Sequence, residues 1–329
     1  MKEGIFFDEH VYSAAASGSL SVDQWRRCIR NRKCKCVLTA VTLLELLEWL
    51  RVAPDDKSFR VAQYALNLAW DFGGKHILEF PSTFLKDRIF GIKDAPRGFG
   101  QKDMQKWLKV AIRAKTKKEL SEGQVALKES ERKTYRLDLA VIQDTLSRGR
   151  TLLNDQISEA IAEICPECES VPPGDSKPPL TKTKLAGIDR VIHGEKLKAR
   201  YAARIVEFCG LSNTIELTPA VVSKVMTTVD AHFTHSCFIK RQALTTNYNY
   251  PRDTGLVVDS QLLFYLADPS YVLVTNDGPL RKTIALSPQS ARVIGFAEFC
   301  TQAGWAASLQ VKHSGCTGAW RIRPDGSKL

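Results

Sequence analysis

The chain has 329 residues and a hydrophobic fraction of 44%, enough to bury a core in one large domain or two modest ones. Lysine and arginine number 47 against 36 acidic residues, and the net charge of +11 favours a polyanionic partner, most simply nucleic acid. The composition argues against wholesale disorder, and no stretch reaches the ~18 apolar residues of a membrane-spanning helix.

The nine cysteines are odd in number and irregular in spacing, which is not the pattern of a disulfide framework. The cysteine pattern fits a reducing, cytoplasmic setting. The early acids Asp8 and Glu9 argue against a secretory signal. Cys34 and Cys36 form a CxC pair, and Cys165-Pro-Glu-Cys168 is a lone CxxC. A zinc site stays open for either pair, although tetrahedral zinc requires further ligands.

The first predicted element is a buried strand, Ile5–Phe7, with Asp8 at its carboxyl end. A helix is expected over residues 20–32. Cys36–Thr39 reads as a second strand, and a leucine-rich helix follows it around Glu45. Because nearly every neighbour of Glu45 in the sequence is apolar, this acid requires an explanation.

A helix is expected over residues 59–71, ended by two glycines, and His76–Phe80 is a candidate third strand. The region from about 82 to 250 has a helical pattern and is rich in basic residues. Within it we expect helices at 102–116, 135–164, 185–209 and 219–236, with a proline-rich loop at 166–180.

The last third returns to a mixed pattern. Val257–Ala267 reads as a buried helix that opens near Asp259, and Tyr271–Thr275 as a strand. The strand is broken at Asn276–Pro279, a short helix is expected from Leu280, and Arg292–Phe296 is a final strand. Strands that alternate with helices predict a parallel α/β sheet.

Four acids occupy unusual positions: Asp8, Glu45, Asp259 and Asp277. In an open parallel sheet the carboxyl ends of the strands share the edge that forms the ligand crevice, and helix starts face the same edge. Converging carboxylates require cations, and their oxygens suit Mg²⁺ or Mn²⁺, which would activate water against a phosphodiester. The structural alternatives are a helix cap at Asp259, a turn acid at Asp277 and an exposed loop acid at Asp8.

At these residues the chain resembles a PIN-domain nuclease. The resemblance rests on Ile5–Asp8, Thr39–Leu46, Asp259–Ala267 and Val272–Asp277, which match the four acidic motifs of that family in order and type. It implies a three-layer α/β/α fold around a parallel sheet and Mg²⁺- or Mn²⁺-dependent cleavage of RNA. It also makes Thr275 and Asn276 supporting residues. Glu9-His10 departs from the family pattern, and Asp253 is the rival of Asp259 for the third acid.

The resemblance covers roughly residues 1–80 and 252–300 and predicts a discontinuous division. The nuclease core is expected over residues 1–81 and 251–305, with a helical basic insertion at 82–250 and a C-terminal tail at 306–329. The insertion has no family assignment.

Basic side chains are the expected nucleic-acid contacts, since lysine and arginine attract phosphates without reading sequence. The segment Arg26–Lys35 is close in sequence to the first two motifs, so we expect it to border the crevice. The predicted contacts are Arg26, Arg27, Arg30, Arg32, Lys33, Lys102, Lys106, Lys109 and Arg113.

These observations predict a metal-dependent endonuclease that favours RNA over DNA, either as a processing enzyme or as a toxin or defence effector. A regulatory protein partner or a homo-oligomer fits the second role. The alternative is a nucleic-acid-binding or scaffold protein with the same fold and a silent centre.

Overall fold

The computed structural model describes residues 3–93, 101–122, 182–245 and 260–304. Asp253 and Asp259, the predicted helix at 135–164, the loop at 166–180, Cys165 and Cys168, and the tail from 306 lie outside these ranges. The strands are β1 (Gly4–Phe7), β2 (Lys35–Thr39), β3 (Ile77–Leu78), β4 (Tyr271–Val274) and β5 (Val293–Ile294).

The described helices alternate with these strands in the first and last parts of the chain. They are α1 (Glu9–Ala16), α2 (Val22–Arg32), α3 (Ala40–Val52), α4 (Asp56–Gly73), α5 (Pro81–Phe90), α6 (Gln101–Arg113), α7 (Lys117–Glu122), α8 (Lys182–Ile192), α9 (Glu195–Phe208), α10 (Pro219–Thr228), α11 (Asp230–Thr245), α12 (Gly278–Thr283) and α13 (Phe296–Gln302). Short 3-10 helices cover Leu263–Ala267 and Pro288–Arg292. In the described ranges every helix falls short of the length and apolar character that a membrane crossing requires.

Local capping explains where the early helices begin. Ser21 accepts a hydrogen bond from the Gln24 amide ahead of α2, and Asp55 accepts one from the Ser58 amide ahead of α4. Each side chain satisfies an amide that has no partner within its own helix. The α2 helix ends at Lys33, which takes a left-handed backbone conformation with φ 51°.

The sheet is parallel throughout and is covered on both faces. Ile5 and Phe7 pack on one face, in a core with the helices α1 to α4 and α13. Phe6 points to the other face, where it packs with residues of α5, α11, α12 and the first 3-10 helix. The predicted parallel α/β sheet is confirmed, with helices layered on each side, as a parallel sheet requires.

Several predicted elements differ in extent from the observed ones. The third and fifth strands are shorter than predicted, because Pro81 starts α5 and a 3-10 turn replaces the start of the last strand. The helix predicted to reach Ala267 tightens into the 3-10 form from Leu263 onwards. The predicted helix at 185–209 is two helices, broken at Gly194, and 219–236 is also two, broken at Val229.

The described part of the region predicted as a helical insertion is helical. A second core joins α5 to the helices α8 to α11. By contrast, α6 packs against α4, where the Gln63 side-chain amide donates to the carbonyl oxygens of Ala111, Ile112 and Ala114. The segment that follows α5 is therefore divided between two cores.

The strand order places the first strand in the centre of the sheet. The order is β3-β2-β1-β4-β5, so β2 and β3 lie on one side of β1, and β4 and β5 lie on the opposite side. Adjacent parallel strands whose connections run in opposite directions leave a crevice at their carboxyl ends. Here that crevice lies between the ends of β1 and β4.

Candidate active site

Asp8 lies at this crevice, directly after β1, and its side chain is completely buried. Its backbone amide donates to the Val274 carbonyl at 3.0 Å, so the pairing of β1 with β4 continues through it. Its Oδ1 accepts a hydrogen bond from the His10 amide at 3.4 Å and caps α1. The alternative of an exposed loop acid at this position is wrong.

The hydroxyl of Thr275 connects Asp8 to the end of the neighbouring strand. Thr275 is completely buried, and its Oγ1 donates to Oδ2 of Asp8 at 2.5 Å. The same oxygen accepts a hydrogen bond from the Asp277 amide at 2.9 Å. One threonine side chain thus fixes both the Asp8 carboxylate and the turn that carries Asp277.

Asp277 caps α12, since its Oδ1 accepts from the Leu280 amide at 3.1 Å. Its side chain is partly exposed, unlike that of Asp8. Burial raises the pKa of Asp277, and the negative charge of Asp8 raises it further. Asp277, considered from the sequence as a turn acid, is therefore a helix cap, and the structure also brings this acid close to Asp8.

The pKa of Asp8 shifts in the opposite direction from that of Asp277. Burial alone would raise its pKa, but hydrogen bonds from His10 and Thr275 and the charge of His10 outweigh burial and lower the pKa. The His10 ring is 54% exposed, and its Nδ1 lies 3.5 Å from Oδ1 of Asp8. An exposed imidazole therefore lies beside the buried carboxylate.

Glu45 is placed by two buried threonines at the start of α3. Thr39 caps the helix and donates its hydroxyl to that of Thr42 at 2.9 Å, and Thr42 donates to the Phe7 carbonyl at 3.2 Å. Glu45 is partly buried and follows Thr42 by about one helical turn. Thr42 was not singled out from the sequence, although its spacing from the Thr39 cap would have revealed it.

Asn276 lies between Thr275 and Asp277 on this loop, and it is exposed. Its side-chain oxygen accepts a hydrogen bond from the Phe296 amide at 3.4 Å. Asn276 thereby connects the end of β4 to the start of α13. This geometry gives it a structural role in holding the loop.

Arg281 is a further residue at this edge that the sequence patterns did not indicate. It belongs to α12, which Asp277 caps, and its guanidinium lies over Gly295, the residue after β5. It also pairs with Glu298 at 3.3 Å and remains 41% exposed. A cation is thus held at the carboxyl edge of the sheet, on the helix that Asp277 caps.

The donor set at the crevice consists of carboxylate oxygens. Within the described residues, no three His, Cys, Asp or Glu side chains come together as a metal-binding group. Asp259 lies outside those residues, so the set that the structure brings together is Asp8 and Asp277. Two carboxylates suit Mg²⁺, which keeps several waters and commonly binds through one or two acids and a substrate phosphate.

We expected the segment Arg26–Lys35 to border the crevice, and this prediction is wrong for the end of the segment at Lys35. Lys35 pairs in register with Gly4 at the start of β1, so it lies about 10 Å or more from the carboxyl edge. Arg32 is engaged by Glu3, with Nε 2.9 Å from Oε2. Arg26 lies 3.9 Å from Asp71.

The structure describes the side chains of some, but not all, of the remaining predicted phosphate contacts. Five of these predicted contacts have exposed side chains: Arg27, Arg30, Lys33, Lys109 and Arg113. The side chains of Lys102 and Lys106 lie outside the described part of the structure. Exposure alone leaves their binding role a prediction.

Comparisons of the chain with protein-family models, with curated proteins and with solved structures found no match.

Proposed function

We propose that the chain is a metal-dependent nuclease whose catalytic centre is the crevice between β1 and β4. The observation that carries the proposal is the buried Asp8 carboxylate, held by Thr275 and close enough to Asp277 to raise its pKa. Two acids gathered at a topological switch point cost electrostatic free energy that a bound cation would recover. A PIN-like fold with Glu45 and Asp259 as further ligands is part of this proposal.

Asp8 and Asp277 would hold the cation, and Glu45 lies on the helix that contacts the end of β1. A divalent ion, when bound, supplies Lewis acidity and lowers the pKa of water. Thr275 keeps the Asp8 carboxylate in one orientation through its 2.5 Å hydrogen bond.

The substrate we propose is a nucleic acid, with RNA favoured. Arg281 lies at the same edge as the acids and would neutralise a phosphate beside the scissile bond. Hydrolysis by activated water does not require the ribose hydroxyl, so DNA has to be tested as a second substrate. Replacing Arg281 with alanine should raise KM more than it lowers kcat, as expected for a residue that binds substrate and transition state alike.

The test is cleavage of labelled single-stranded RNA, and of DNA of the same sequence, with Mn²⁺ or Mg²⁺ and with or without chelator. We expect cleavage by the wild type, its loss with chelator, and a loss of about 100-fold or more in Asp8→Asn and Asp277→Asn. Asp23→Asn is the matched control, since Asp23 is 82% exposed on α2. Full activity in Asp8→Asn would overturn the proposal.

One observation favours a second candidate, a nucleic-acid-binding protein with a silent centre. The Asp8 side chain is completely buried, and the His10 ring lies with its Nδ1 3.5 Å from Oδ1 of Asp8. In that case RNA would bind without cleavage, and binding would be unchanged by Asp8→Asn. Cleavage that requires Asp8 eliminates this candidate.

A further inference from the structure

His235 is a buried histidine of α11 that contacts the helix capped by Asp277. Its Nδ1 lies 2.6 Å from Oγ1 of Thr283, the last residue of α12. The Thr283 hydroxyl donates its single proton to the Leu280 carbonyl at 2.7 Å. The donor in the contact between His235 and Thr283 is therefore the imidazole, which places a proton on Nδ1.

This contact belongs to a chain of hydrogen bonds that ends at the two acids of the crevice. Leu280, whose carbonyl accepts from Thr283, donates its amide to Oδ1 of Asp277 at 3.1 Å. The Asp277 amide donates to Thr275, and the Thr275 hydroxyl donates to the buried Asp8 carboxylate. A continuous series of hydrogen bonds therefore leads from α11 to both acids.

The length of α12 makes its tertiary contacts important for the position of Asp277. The helix has six residues, and isolated helices shorter than about 12 residues are marginal in water. The last carbonyl groups of a helix also lack partners within it, and the Thr283 hydroxyl satisfies the one at Leu280. Because His235 orients that hydroxyl, α12 is held to α11 by a hydrogen bond as well as by packing.

Two other contacts from α11 reach the chain beyond α12. Oδ2 of Asp230 accepts a hydrogen bond from the Ser287 hydroxyl at 2.5 Å. The Ala231 amide donates to Oε1 of Gln289 at 2.9 Å. Of these three contacts, the one made by His235 is the one that reaches α12 itself.

We propose that His235 is a positioning residue, which fixes α12 through Thr283 and thereby holds the Asp277 carboxylate at the crevice. The catalytic consequence of this role rests on the proposed nuclease function. His235 lies in the region predicted as a helical insertion, so α11 supplies the catalytic core with a support. Groups that orient a metal ligand from behind commonly change metal affinity or activity by about 10–100-fold when they are removed.

Three substitutions of His235 separate the hydrogen bond from the ring. In His235→Asn the amide nitrogen takes nearly the position of Nδ1 and still donates to Thr283, whereas in His235→Gln it corresponds to Nε2. His235→Leu removes the donor. The matched control is His232→Leu on the same helix, because His232 bonds to the Tyr201 hydroxyl of α9 and stacks on Phe264 instead.

The first measurement is hydrogen–deuterium exchange of the full chain without metal. In His235→Leu and His235→Gln the amides of residues 280–284 should exchange at least about tenfold faster than in wild type, because α12 loses an anchor. His235→Asn should restore slow exchange, and His232→Leu should leave this segment unchanged. Thr283→Val keeps the side-chain shape without the hydroxyl, so it should match His235→Leu and takes its place if that variant does not fold.

The second measurement is the Mn²⁺ concentration at which RNA cleavage reaches half of its maximum rate. This midpoint should rise about tenfold in His235→Leu and His235→Gln and stay near the wild-type value in His235→Asn and His232→Leu. A variant that is only partly unfolded would lose maximum rate without a change in the Mn²⁺ midpoint.

The two measurements separate this inference from the proposed function. Unchanged exchange over residues 280–284 in His235→Leu, or equal acceleration by His232→Leu, would overturn the positioning role whether or not the chain cleaves RNA. Faster exchange with an unchanged Mn²⁺ midpoint would overturn it as well. If the wild type cleaves neither RNA nor DNA, the proposed function fails, and the exchange rates alone decide whether His235 holds α12.

Discussion

The hydroxyl of Thr275 can be removed with little change in shape by replacing Thr275 with valine. The change deletes the donor to the buried Asp8 carboxylate at 2.5 Å and the acceptor of the Asp277 amide at 2.9 Å. Thr275→Ser is the matched control, because it keeps the hydroxyl and loses only a methyl group.

The expected cost follows from the two lost hydrogen bonds. A hydrogen bond to a charged group contributes about 1.5–3 kcal/mol and an ordinary one about 0.5–1.5 kcal/mol, so Thr275→Val should lower the free energy of unfolding by about 2–4.5 kcal/mol. With an m-value of about 3 kcal/mol per molar urea, the unfolding midpoint should fall by about 0.7–1.5 M. The serine variant should lose about 0.8 kcal/mol, the contribution of one buried methyl or methylene group.

The pH dependence tests whether the charge of Asp8 is the cause. The pKa of Asp8 is lowered in the folded state, so its stabilising contribution is present above the unfolded pKa of about 3.9 and is lost as pH falls through the folded pKa. The difference in the free energy of unfolding between wild type and Thr275→Val should therefore be largest at pH 7. It should become smaller towards the lowest pH at which both proteins fold. Equal midpoints for the valine and serine variants at pH 7 would refute the reasoning.

Two further predictions concern the packing around the sheet. Gly73→Ala should destabilise the protein by more than about 2 kcal/mol, because the added Cβ would lie 2.7 Å from the Leu38 amide nitrogen and 2.8 Å from the Val37 carbonyl carbon. Gly187→Ala on α8 meets nothing within 4 Å and should instead stabilise by up to about 1 kcal/mol, and thermal unfolding of both would show opposite shifts. Gln63→Leu should loosen α6 by removing its three hydrogen bonds, and limited proteolysis should then cut within 101–122 faster than in wild type.

The sheet was predictable because each strand carries a local signal. Ile5–Phe7 and Tyr271–Val274 are short apolar runs, each followed by a polar residue at the crevice. The convergence of Asp8 and Asp277 followed from the parallel arrangement, which places the carboxyl ends of all strands at one edge. The structure agrees with that convergence for these two acids.

The details of the site were less accessible, since they depend on contacts between residues far apart in sequence. The resemblance indicated Thr275 as a supporting residue, but its hydrogen bond to Asp8 and the position of the His10 ring depend on the tertiary arrangement. Arg281 lies at the carboxyl edge because its guanidinium packs over Gly295, the residue that follows β5. Lys35 was misplaced for the converse reason, as nearness in sequence to the first motifs does not fix which end of β2 a residue occupies.

Asp8 and Asp277 also allow a test that separates function from stability. Asparagine caps helices about as well as aspartate, so Asp8→Asn and Asp277→Asn both keep their caps and remove only charge. The lowered pKa of Asp8 means that the fold stabilises its ionised form, whereas the raised pKa of Asp277 means that the fold disfavours its charge.

Near pH 7 and without added cation, Asp8→Asn should therefore lower the melting temperature, and Asp277→Asn should leave it unchanged or raise it. Both variants should lose cleavage. An acid retained at a cost in stability fits a functional group, because function is the usual reason for keeping an unfavourable charge. Equal destabilisation by the two substitutions would mean that the fold favours the charge of Asp277, and the second ligand would then have to be sought elsewhere in the crevice.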